Sequence, residues 1–397
     1  MTRPTVSTIT LTRRQRVVEK LGDAQADVLV IYAQGSAAGI ATRSHAYARY
    51  LTDWDSGIYP SAIVLVPDAK PTVFVPNIFL EQFGRHYAPD LEVRFVKPNV
   101  FADEVARQVL ANARAGGKIA YIGRAETPQP FWERVRATWH GHELVDFEAG
   151  VDCLRVVRSD AEIDTHREAA RICDGLFDSA FRSARSGKPV FQIRADLQCQ
   201  ALHAGCDYAS TWLTSRPAAD YSRSLLAETR NVPQTGDQYL VGLMVLFEGC
   251  WGHGIRMANL GAPTRAQQQA YDAVSAMHQA MLEQMKPGVE IGTLQAAAKA
   301  IREQRYPQID TFEFRYGHAL GYAYDDPLPQ GAMPFPQRYE NEPSYRGEVR
   351  LERNQLFELH PNVFVPDLAG AALGDMALVT NDGYELLTRF PRELGVL

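Results

Sequence analysis

The stretch "FELHPNVF", residues 357–364, places His360 directly before Pro361 in an otherwise apolar run with the pattern of a strand. Glu358 lies two residues earlier, and side chains two apart on a strand share one face. An imidazole and a carboxylate on one face could act as acid and base, or the carboxylate could orient an imidazole that binds a metal ion. A single buried histidine is more often a hydrogen-bonded core residue than a ligand, so the other polar residues decide the interpretation.

The composition is that of a soluble globular protein with more than one domain. The chain has 397 residues, of which 46% are hydrophobic and 22% charged, and this length favours two domains. A formal charge of −6 argues against nucleic acid or an anionic membrane as partner. Five cysteines without CxxC spacing are typical of reduced thiols. We find no signal-peptide pattern and no long apolar run, and therefore expect a soluble cytoplasmic protein.

The first third of the chain alternates strand-like and helical patterns. Residues 101–117 have apolar side chains at helical spacing and end at glycines. Short runs rich in valine, isoleucine and aromatic residues predict strands at "DVLVIYA" (27–33), "SAIVLV" (61–66), "PTVFVP" (71–76), "LEVRFV" (91–96) and "KIAYIG" (118–123). Strands that alternate with helices predict a compact α/β domain.

The pattern changes near residues 150–160, where long helices begin. Ser159 and Glu162 form the signature of a capping box, and the helix after them is predicted to end at Gly187. The next elements are a helix at "PVFQIRADLQCQALHAG", a β-hairpin over 236–261 that turns near Glu248–Gly249, helices at 263–288 and "IGTLQAAAKAIREQ", and strands in the last quarter. Residues 333–348 are rich in proline and charge, which indicates an excursion or lid.

The order of these landmarks resembles the creatinase, prolidase and methionine aminopeptidase family, whose fold is called pita-bread. The motifs that carry the resemblance are "RSDAEIDTHREAARICD", the hairpin with Gly236, Asp237 and Arg256, and then "YGHALG", "FELHP" and "DMALVTNDGYELLT". The resemblance spans essentially the whole chain. It implies an α/β N-terminal domain, residues 1–155, plus an α+β pita-bread C-terminal domain, residues 156–397. It also implies a homodimer, as in the prolidase and creatinase branches.

Peptidases of this family bind two metal ions through two aspartates, one histidine and two glutamates. By the same landmarks, the first aspartate position of this chain is Gly242 and the last glutamate position is Gly374. The second aspartate and the first glutamate positions are His253 and His360, and the family's histidine is kept as His318. Because glycine donates no side chain, the resemblance excludes the usual two-metal site. It favours one divalent ion, Zn or Fe, held by the three histidines, because imidazole suits these metals.

Three neutral imidazoles would leave such an ion an open position, and a site of this kind lowers the pKa of bound water to about 7 in the best zinc enzymes. Hydrolysis of a C–N bond would also need a proton shuttle and a partner for the oxyanion. The candidate catalytic residues are Glu358, Asp375, Tyr322 and Asp325, and Glu358 could instead orient a ligand imidazole. The candidate substrate-binding residues are Arg256, Trp212, Arg216 and Tyr221, and Arg256 could instead close a salt bridge.

The sequence leaves other functions open. The same site with iron could activate O₂, and a lyase would need a base beside the metal. A metal-free enzyme that uses the histidines as acid and base, or a non-catalytic binding protein, is a further alternative. Creatine and proline dipeptides are poor substrate candidates, because Ile58 and Tyr59 stand near the place of creatinase's carboxylate-binding arginine. We therefore predict a small-molecule hydrolase of a C–N bond that differs from ordinary two-metal peptidases.

Overall fold

The computed structural model describes residues 8–220, 228–306, 315–326 and 348–397. The chain forms two compact units, the first made of Met1–Val156 with Tyr322–Gly331 and the second of Val157–Gly321 with Ala332–Leu397. The resemblance implies that the segment beginning at Tyr322 is part of the C-terminal domain. By its contacts this segment belongs to the first unit. Residues 333–347 of the predicted excursion lie outside the described ranges. Within those ranges, none of the helices has the length and apolar character needed to cross a membrane.

In its described residues the first unit has one mixed six-stranded sheet and six α-helices. The strands are β1 (Ala26–Ala33), β2 (Ser61–Leu65), β3 (Thr72–Val75), β4 (Glu92–Phe95), β5 (Lys118–Ile122) and β6 (Glu143–Asp146), in the order β4-β3-β2-β1-β5-β6. The helices are α1 (Thr8–Asp23), α2 (Ser44–Thr52), α3 (Ile78–Tyr87), α4 (Phe101–Leu110), α5 (Gln129–Thr138) and α6 (Glu148–Arg155). β1 pairs with β5 in parallel and with β2 antiparallel. The five strands predicted from the sequence correspond to β1–β5.

The central position of β1 explains its composition. All of its residues except Asp27 are buried, as expected for a strand covered on both faces. The helix predicted over 101–117 is shorter than expected, because α4 ends at Leu110. The side chain of Asn112 donates a hydrogen bond to the carbonyl of Gln108 (2.8 Å), which satisfies a carbonyl of the last turn.

Within the part of the chain that the structure describes, the second unit combines four α-helices with three small sheets. The helices are α7 (Asp160–Ser183), α8 (Val190–His203), α9 (Arg265–Gln284) and α10 (Ile291–Arg305). The strands are β7 (Tyr208–Arg216), β8 (Gln238–Phe247), β9 (Cys250–Asn259), β10 (Gly317–Ala319), β11 (Leu356–Leu359), β12 (Asn362–Val365), β13 (Ala369–Ala372), β14 (Asp375–Val379), β15 (Tyr384–Leu386) and β16 (Gly395–Val396). Their sheets have the orders β16-β9-β8-β7, β10-β11-β14-β15 and β12-β13.

Local sequence signals account for the main elements of this unit. Ser159 and Glu162 make both hydrogen bonds of the predicted capping box at the start of α7. The hairpin of β8 and β9 turns at Glu248 and Gly249, whose φ angles are 47° and 81°. Two successive residues with positive φ are characteristic of a tight hairpin turn that matches strand twist. α7 and α8 pack on this hairpin through a core that includes Phe177.

A backbone bridge between Ile255 and Gly374 joins the two four-stranded sheets. The N–H of Ile255 on β9 donates to the carbonyl of Gly374 (3.1 Å), and the N–H of Gly374 donates to the carbonyl of Ile255 (3.0 Å). Gly374 directly precedes β14, which pairs with β11. The bridge therefore places β9 beside the β10-β11-β14 sheet.

Candidate functional site

The structure brings His253, His318 and His360 together in the second unit. His253 lies on β9, His318 on β10, and His360 directly after β11, where its N–H donates to the carbonyl of Tyr316 (2.8 Å). The ring centroid of His253 lies 5.6 Å from that of His318 and 6.2 Å from that of His360. The centroids of His318 and His360 are 5.6 Å apart. All three side chains are buried. We call these residues the histidine cluster.

Glu358 lies at the centre of the histidine cluster. Its Oε1 atom is 3.7 Å from Nε2 of His253, and its Oε2 atom is 4.0 Å from Nε2 of His318 and 3.4 Å from Nε2 of His360. Among the described residues neither oxygen has a hydrogen-bond partner, although the side chain is completely buried. A buried carboxylate without such partners is costly, so this arrangement calls for a further group or a proton.

Hydrogen bonds to the backbone determine which ring nitrogen is available in two of the histidines. Nδ1 of His253 lies 2.7 Å from the carbonyl oxygen of Leu243, and Nδ1 of His318 lies 3.1 Å from that of Ala319. A carbonyl oxygen only accepts, so Nδ1 carries the proton and Nε2 keeps its lone pair. In both rings Nε2 is the atom that lies nearer to Glu358. This tautomer is the one that metal-bound histidines commonly adopt.

Burial favours the neutral form of two histidines of the cluster, His253 and His360. It lowers the pKa of His253 to about 4, and the positive charge of Arg315 adds to the effect. It also holds the pKa of His360 well below its usual value. Burial has the opposite effect on the carboxyl group and raises the pKa of Glu358 well above its usual range, with the negative charge of Asp375 contributing. A cation beside Glu358 would counter that shift.

The donor atoms fit a single transition-metal ion. His253, His318 and Glu358 each offer one ligand atom, and these atoms lie within 4.8 Å of one another. Ligand atoms of a tetrahedral ion with bonds of about 2.0–2.1 Å are about 3.3–3.4 Å apart, so small adjustments would bring all three to one ion. His360 is not in this group of three, which differs from the set of three histidines that the resemblance implied. Two imidazoles and one carboxylate suit zinc or ferrous iron.

Two glycines shape the cluster at the positions where the family pattern expects carboxylate ligands. A Cβ atom added to Gly242 would lie 3.4 Å from the ring of Trp212, and one added to Gly374 would lie 2.1 Å from Oε1 of Glu358. A Cβ at Gly374 would therefore collide with Glu358, whereas one at Gly242 would be in ordinary van der Waals contact. The exclusion of a two-metal site of the usual kind stays an expectation that rests on the glycines' lack of a donor atom.

Two of the predicted substrate-binding residues lie on β7. The ring of Trp212 meets the ring of His253 edge to face, with centroids 6.1 Å apart and planes at 86°. Trp212 and Arg216 are four residues apart, so they share one face of the strand, and both are half-buried. Trp212 therefore borders the histidine cluster while remaining partly accessible. Tyr221 lies outside the described residues.

Arg256 and Asp375 form a buried ion pair. Nη2 of Arg256 donates to Oδ1 of Asp375 (2.6 Å), and its other N–H groups donate to four backbone carbonyls, among them that of Gly374 (2.6 Å). Thr388 also donates to Oδ1 of Asp375 (2.6 Å). Burial, the largest single influence, raises the pKa of Asp375, but Arg256, His278 and Thr388 together outweigh it and the pKa is lowered. These contacts favour a structural role over the catalytic and substrate-binding roles predicted from the sequence.

The same network contains His278, and we predict that it makes stability depend on pH. Burial lowers the pKa of His278 to about 4, with Arg392 and Arg256 adding to the effect and Asp375 opposing it. Because the unfolded chain protonates this ring near pH 6.5 and the folded chain only near pH 4, unfolding takes up a proton between these values. Stability should therefore fall by up to about 3 kcal/mol as the pH drops from 6.5 to 4.

Urea unfolding of the metal-free protein between pH 7.5 and 4.5 measures this effect. The variant His278→Gln should show a shallower decline than wild type, whereas His203→Gln, at an exposed ring on α8, should follow wild type. Equal pH slopes for wild type and His278→Gln would contradict the prediction.

Tyr322 and Asp325, two further candidate catalytic residues, contact residues of the first unit. The guanidinium of Arg13 lies over the ring of Tyr322, 5.4 Å from its centroid, and His45 bonds its backbone carbonyl (2.9 Å). Asp325 accepts a hydrogen bond from Arg43 (3.2 Å). These contacts support a role for both residues in holding the segment after Gly321 to the first unit, and their catalytic roles stay predictions.

Sequence reasoning missed Arg315. The residue precedes His318 by three positions and is buried. Its positive charge lowers the pKa of His253, His360 and Glu358, although burial is the larger influence on each. Its position in "RYGHALG", next to a motif already singled out, is the signal that could have identified it.

Known proteins are similar to this chain in sequence and in fold. The chain is 24% identical to an Xaa-Pro dipeptidase of Lactobacillus delbrueckii subsp. lactis over 257 residues, which cover 64% of this chain and 65% of that protein. The prolidase of Thermococcus sibiricus has a TM-score of 0.81 at 16% identity, covering 99% of this chain and 100% of its own. The Xaa-Pro dipeptidase of Bacillus anthracis has a TM-score of 0.77 at 18% identity, covering 98% and 100%.

The structural likeness confirms the predicted fold class, an α/β N-terminal part with a pita-bread C-terminal part. The sequence model of metallopeptidase family M24 matches residues 164–381, more than half of the chain. This range includes all three members of the histidine cluster as well as Glu358. The chain therefore belongs to metallopeptidase family M24.

Proposed function

We propose that this protein hydrolyses a C–N bond in a small molecule with a single transition-metal ion bound at the histidine cluster. One observation carries the proposal: His253 and His318 each donate Nδ1–H to a backbone carbonyl and present Nε2 towards one buried carboxylate. Histidines that only fill a core would leave this buried carboxylate without any stabilising contact. A metal ion bound between the imidazoles and the carboxylate would supply one.

The ion would supply Lewis-acid chemistry, since it polarises a carbonyl oxygen and lowers the pKa of water. Hydrolysis joins the water oxygen to the carbonyl carbon, breaks the C–N bond, and lets the nitrogen leave with a proton. In this proposal His360, whose Nε2 is 3.4 Å from Oε2 of Glu358 and whose pKa burial keeps well below its usual value, passes that proton on to the nitrogen and does not retain it. Trp212 would pack against an apolar part of the substrate beside His253.

The donor set also favours a second candidate. Two histidines and one carboxylate with open positions are typical of non-haem iron enzymes that activate O₂. The identity of the bound metal bears on the choice between the two: zinc is incompatible with O₂ activation, whereas iron is compatible with both reactions. The remaining enzymatic alternatives are a lyase, whose activity would depend on the metal, and a metal-free enzyme, whose activity would not.

Several of the similar proteins are named prolidase or Xaa-Pro dipeptidase, and hydrolysis of a peptide bond is the same class of reaction. A substrate panel should therefore contain Xaa-Pro dipeptides together with other amides, although the sequence makes proline dipeptides poor candidates. The expected homodimer and the cytoplasmic location stay predictions.

Elemental analysis of the protein, expressed without a histidine tag, tests the proposal. We expect about one zinc or iron ion per chain in wild type and loss of this ion in the variant His253→Ala/His360→Ala. Removal of the metal with a chelator should abolish activity on the substrate panel, and adding the ion back should restore it. A wild-type protein that takes up no transition metal even after reconstitution would overturn the proposal.

A further inference from the structure

Glu358 and Gly374 are complementary in shape across two neighbouring strands. Glu358 lies on β11, and Gly374 lies directly before β14, the strand that pairs with β11. A Cβ atom on Gly374 would lie 2.1 Å from Oε1 of Glu358 and 2.9 Å from the backbone nitrogen of Ile255, both too close for any side chain. Position 374 must therefore remain a glycine while Glu358 keeps its present place.

This requirement concerns space and not backbone conformation. Gly374 is not among the residues with positive φ, so its backbone could accommodate other amino acids. Its two hydrogen bonds to Ile255, of 3.0 and 3.1 Å, hold the backbone in place beside β9. The glycine cannot move away from Glu358 without breaking that bridge.

The surroundings of Glu358 resemble those of a metal ligand. The Nε2 atoms of the histidine cluster are 3.4–4.0 Å from its oxygens, and neither oxygen has a hydrogen-bond partner among the described residues. Hydrogen bonds between such groups would be about 2.7–3.2 Å long. Ligand atoms around one tetrahedral ion are about 3.3–3.4 Å apart, which is closer to the observed spacing.

We propose that Glu358 is itself a ligand of the ion and occupies, from β11, the space that a side chain at position 374 would otherwise fill. In this arrangement His253, His318 and Glu358 bind the ion, and His360 lies beside the carboxylate. The proposal rests on the proposed metal site, but it replaces the proton-shuttle role that the sequence suggested for Glu358. The missing side chain of Gly374 creates the room for this relocated carboxylate.

Three variants test the relocation with metal affinity as readout. Affinities for Zn²⁺ are measured by competition with a chromogenic chelator, and the absorption spectrum of the Co²⁺-substituted protein reports the ligand set. Glu358→Gln and Gly374→Ala should each weaken Zn²⁺ binding by about 100-fold or more and change the Co²⁺ spectrum, because the carboxylate is lost or displaced. The matched control for the second variant is Gly383→Ala, at an open position without positive φ, which should bind like wild type.

The variant Glu358→Gly/Gly374→Glu returns a carboxylate to the same space from the other strand. We expect it to recover Zn²⁺ affinity to within about 10-fold of wild type, which a purely structural role of Glu358 would not produce. Thermal unfolding of each variant shows whether it is folded. If the double variant is unfolded, the Zn²⁺ affinities of Glu358→Gln and Gly374→Ala decide whether Glu358 is a ligand.

The outcomes separate this proposal from the proposed function. Wild-type affinity in Glu358→Gln or in Gly374→Ala would overturn the ligand role of Glu358 and leave the metal site intact. A folded double variant that binds Zn²⁺ no more tightly than Glu358→Gln would overturn it as well. A wild-type protein that binds neither Zn²⁺ nor Co²⁺ would instead remove the proposed metal site and this inference with it.

Discussion

Replacing His318 with alanine should abolish both the metal content and the activity of this protein. His318 is fully buried, its Nδ1 is hydrogen-bonded to a backbone carbonyl, and its Nε2 is 4.0 Å from Glu358. Among the predicted ligands it is also the one residue that keeps the type expected from the family. Loss of one of three protein ligands should lower Zn²⁺ affinity by at least about 100-fold, so that the purified variant carries little metal.

The measurement is elemental analysis together with activity on the substrate panel. His203→Ala removes an exposed histidine at the end of α8 and should match wild type in both. Thermal unfolding distinguishes metal loss from misfolding, because the apo wild type and His318→Ala should unfold at similar temperatures. A folded His318→Ala protein with full metal content would show that the ion binds elsewhere.

Replacing Asp375 with asparagine should lower the stability of the protein by about 3–5 kcal/mol, because it leaves the buried guanidinium of Arg256 without its carboxylate. Asp375 is completely buried, Arg256 is 1% exposed, and the two are 2.6 Å apart. The energy is large because a buried ion that loses its partner keeps its desolvation cost. The folded fraction of the variant should retain activity, since Asp375 is engaged by Arg256 and Thr388.

Urea unfolding at pH 7 measures this loss, and a surface ion pair of the same unit supplies the control. Glu385 pairs with Arg167 at 2.8 Å, but both side chains are about a third or more exposed. Glu385→Gln should therefore change stability by less than about 1 kcal/mol. An Asp375→Asn protein that is as stable as wild type and yet inactive would restore the catalytic role that the sequence suggested for Asp375.

Local signals in the sequence predicted the secondary structure well where one residue type has one physical use. The capping box at Ser159 and Glu162 begins α7, and the turn at Glu248–Gly249 joins β8 to β9. Both features depend on hydrogen bonds or backbone angles within a few residues, which the sequence contains in full. The end of α4 was predicted less well, because it depends on the local bond of Asn112 and not on the glycines after it.

The candidate site was partly predictable. The order of motifs identified the family and pointed to three histidines, and the structure places all three in one cluster. The catalytic role predicted for Asp375 and the substrate-binding role predicted for Arg256 depended on sequence position alone. In the fold these two side chains form an ion pair with each other. Arg315 was missed because nothing local to a single arginine shows that its charge lies near residues on other strands.

The sequence by itself determined the family and the fold class, and it predicts the loss of two carboxylate ligands, because glycine at positions 242 and 374 has no donor atom wherever it lies. Only the tertiary structure decided where a replacement carboxylate could come from. Glu358 reaches the centre of the cluster because β11 pairs with β10 and β14, and because the bridge between Ile255 and Gly374 brings β9 alongside. Distances between side chains on different strands follow from that pairing, and no pattern within one segment contains them.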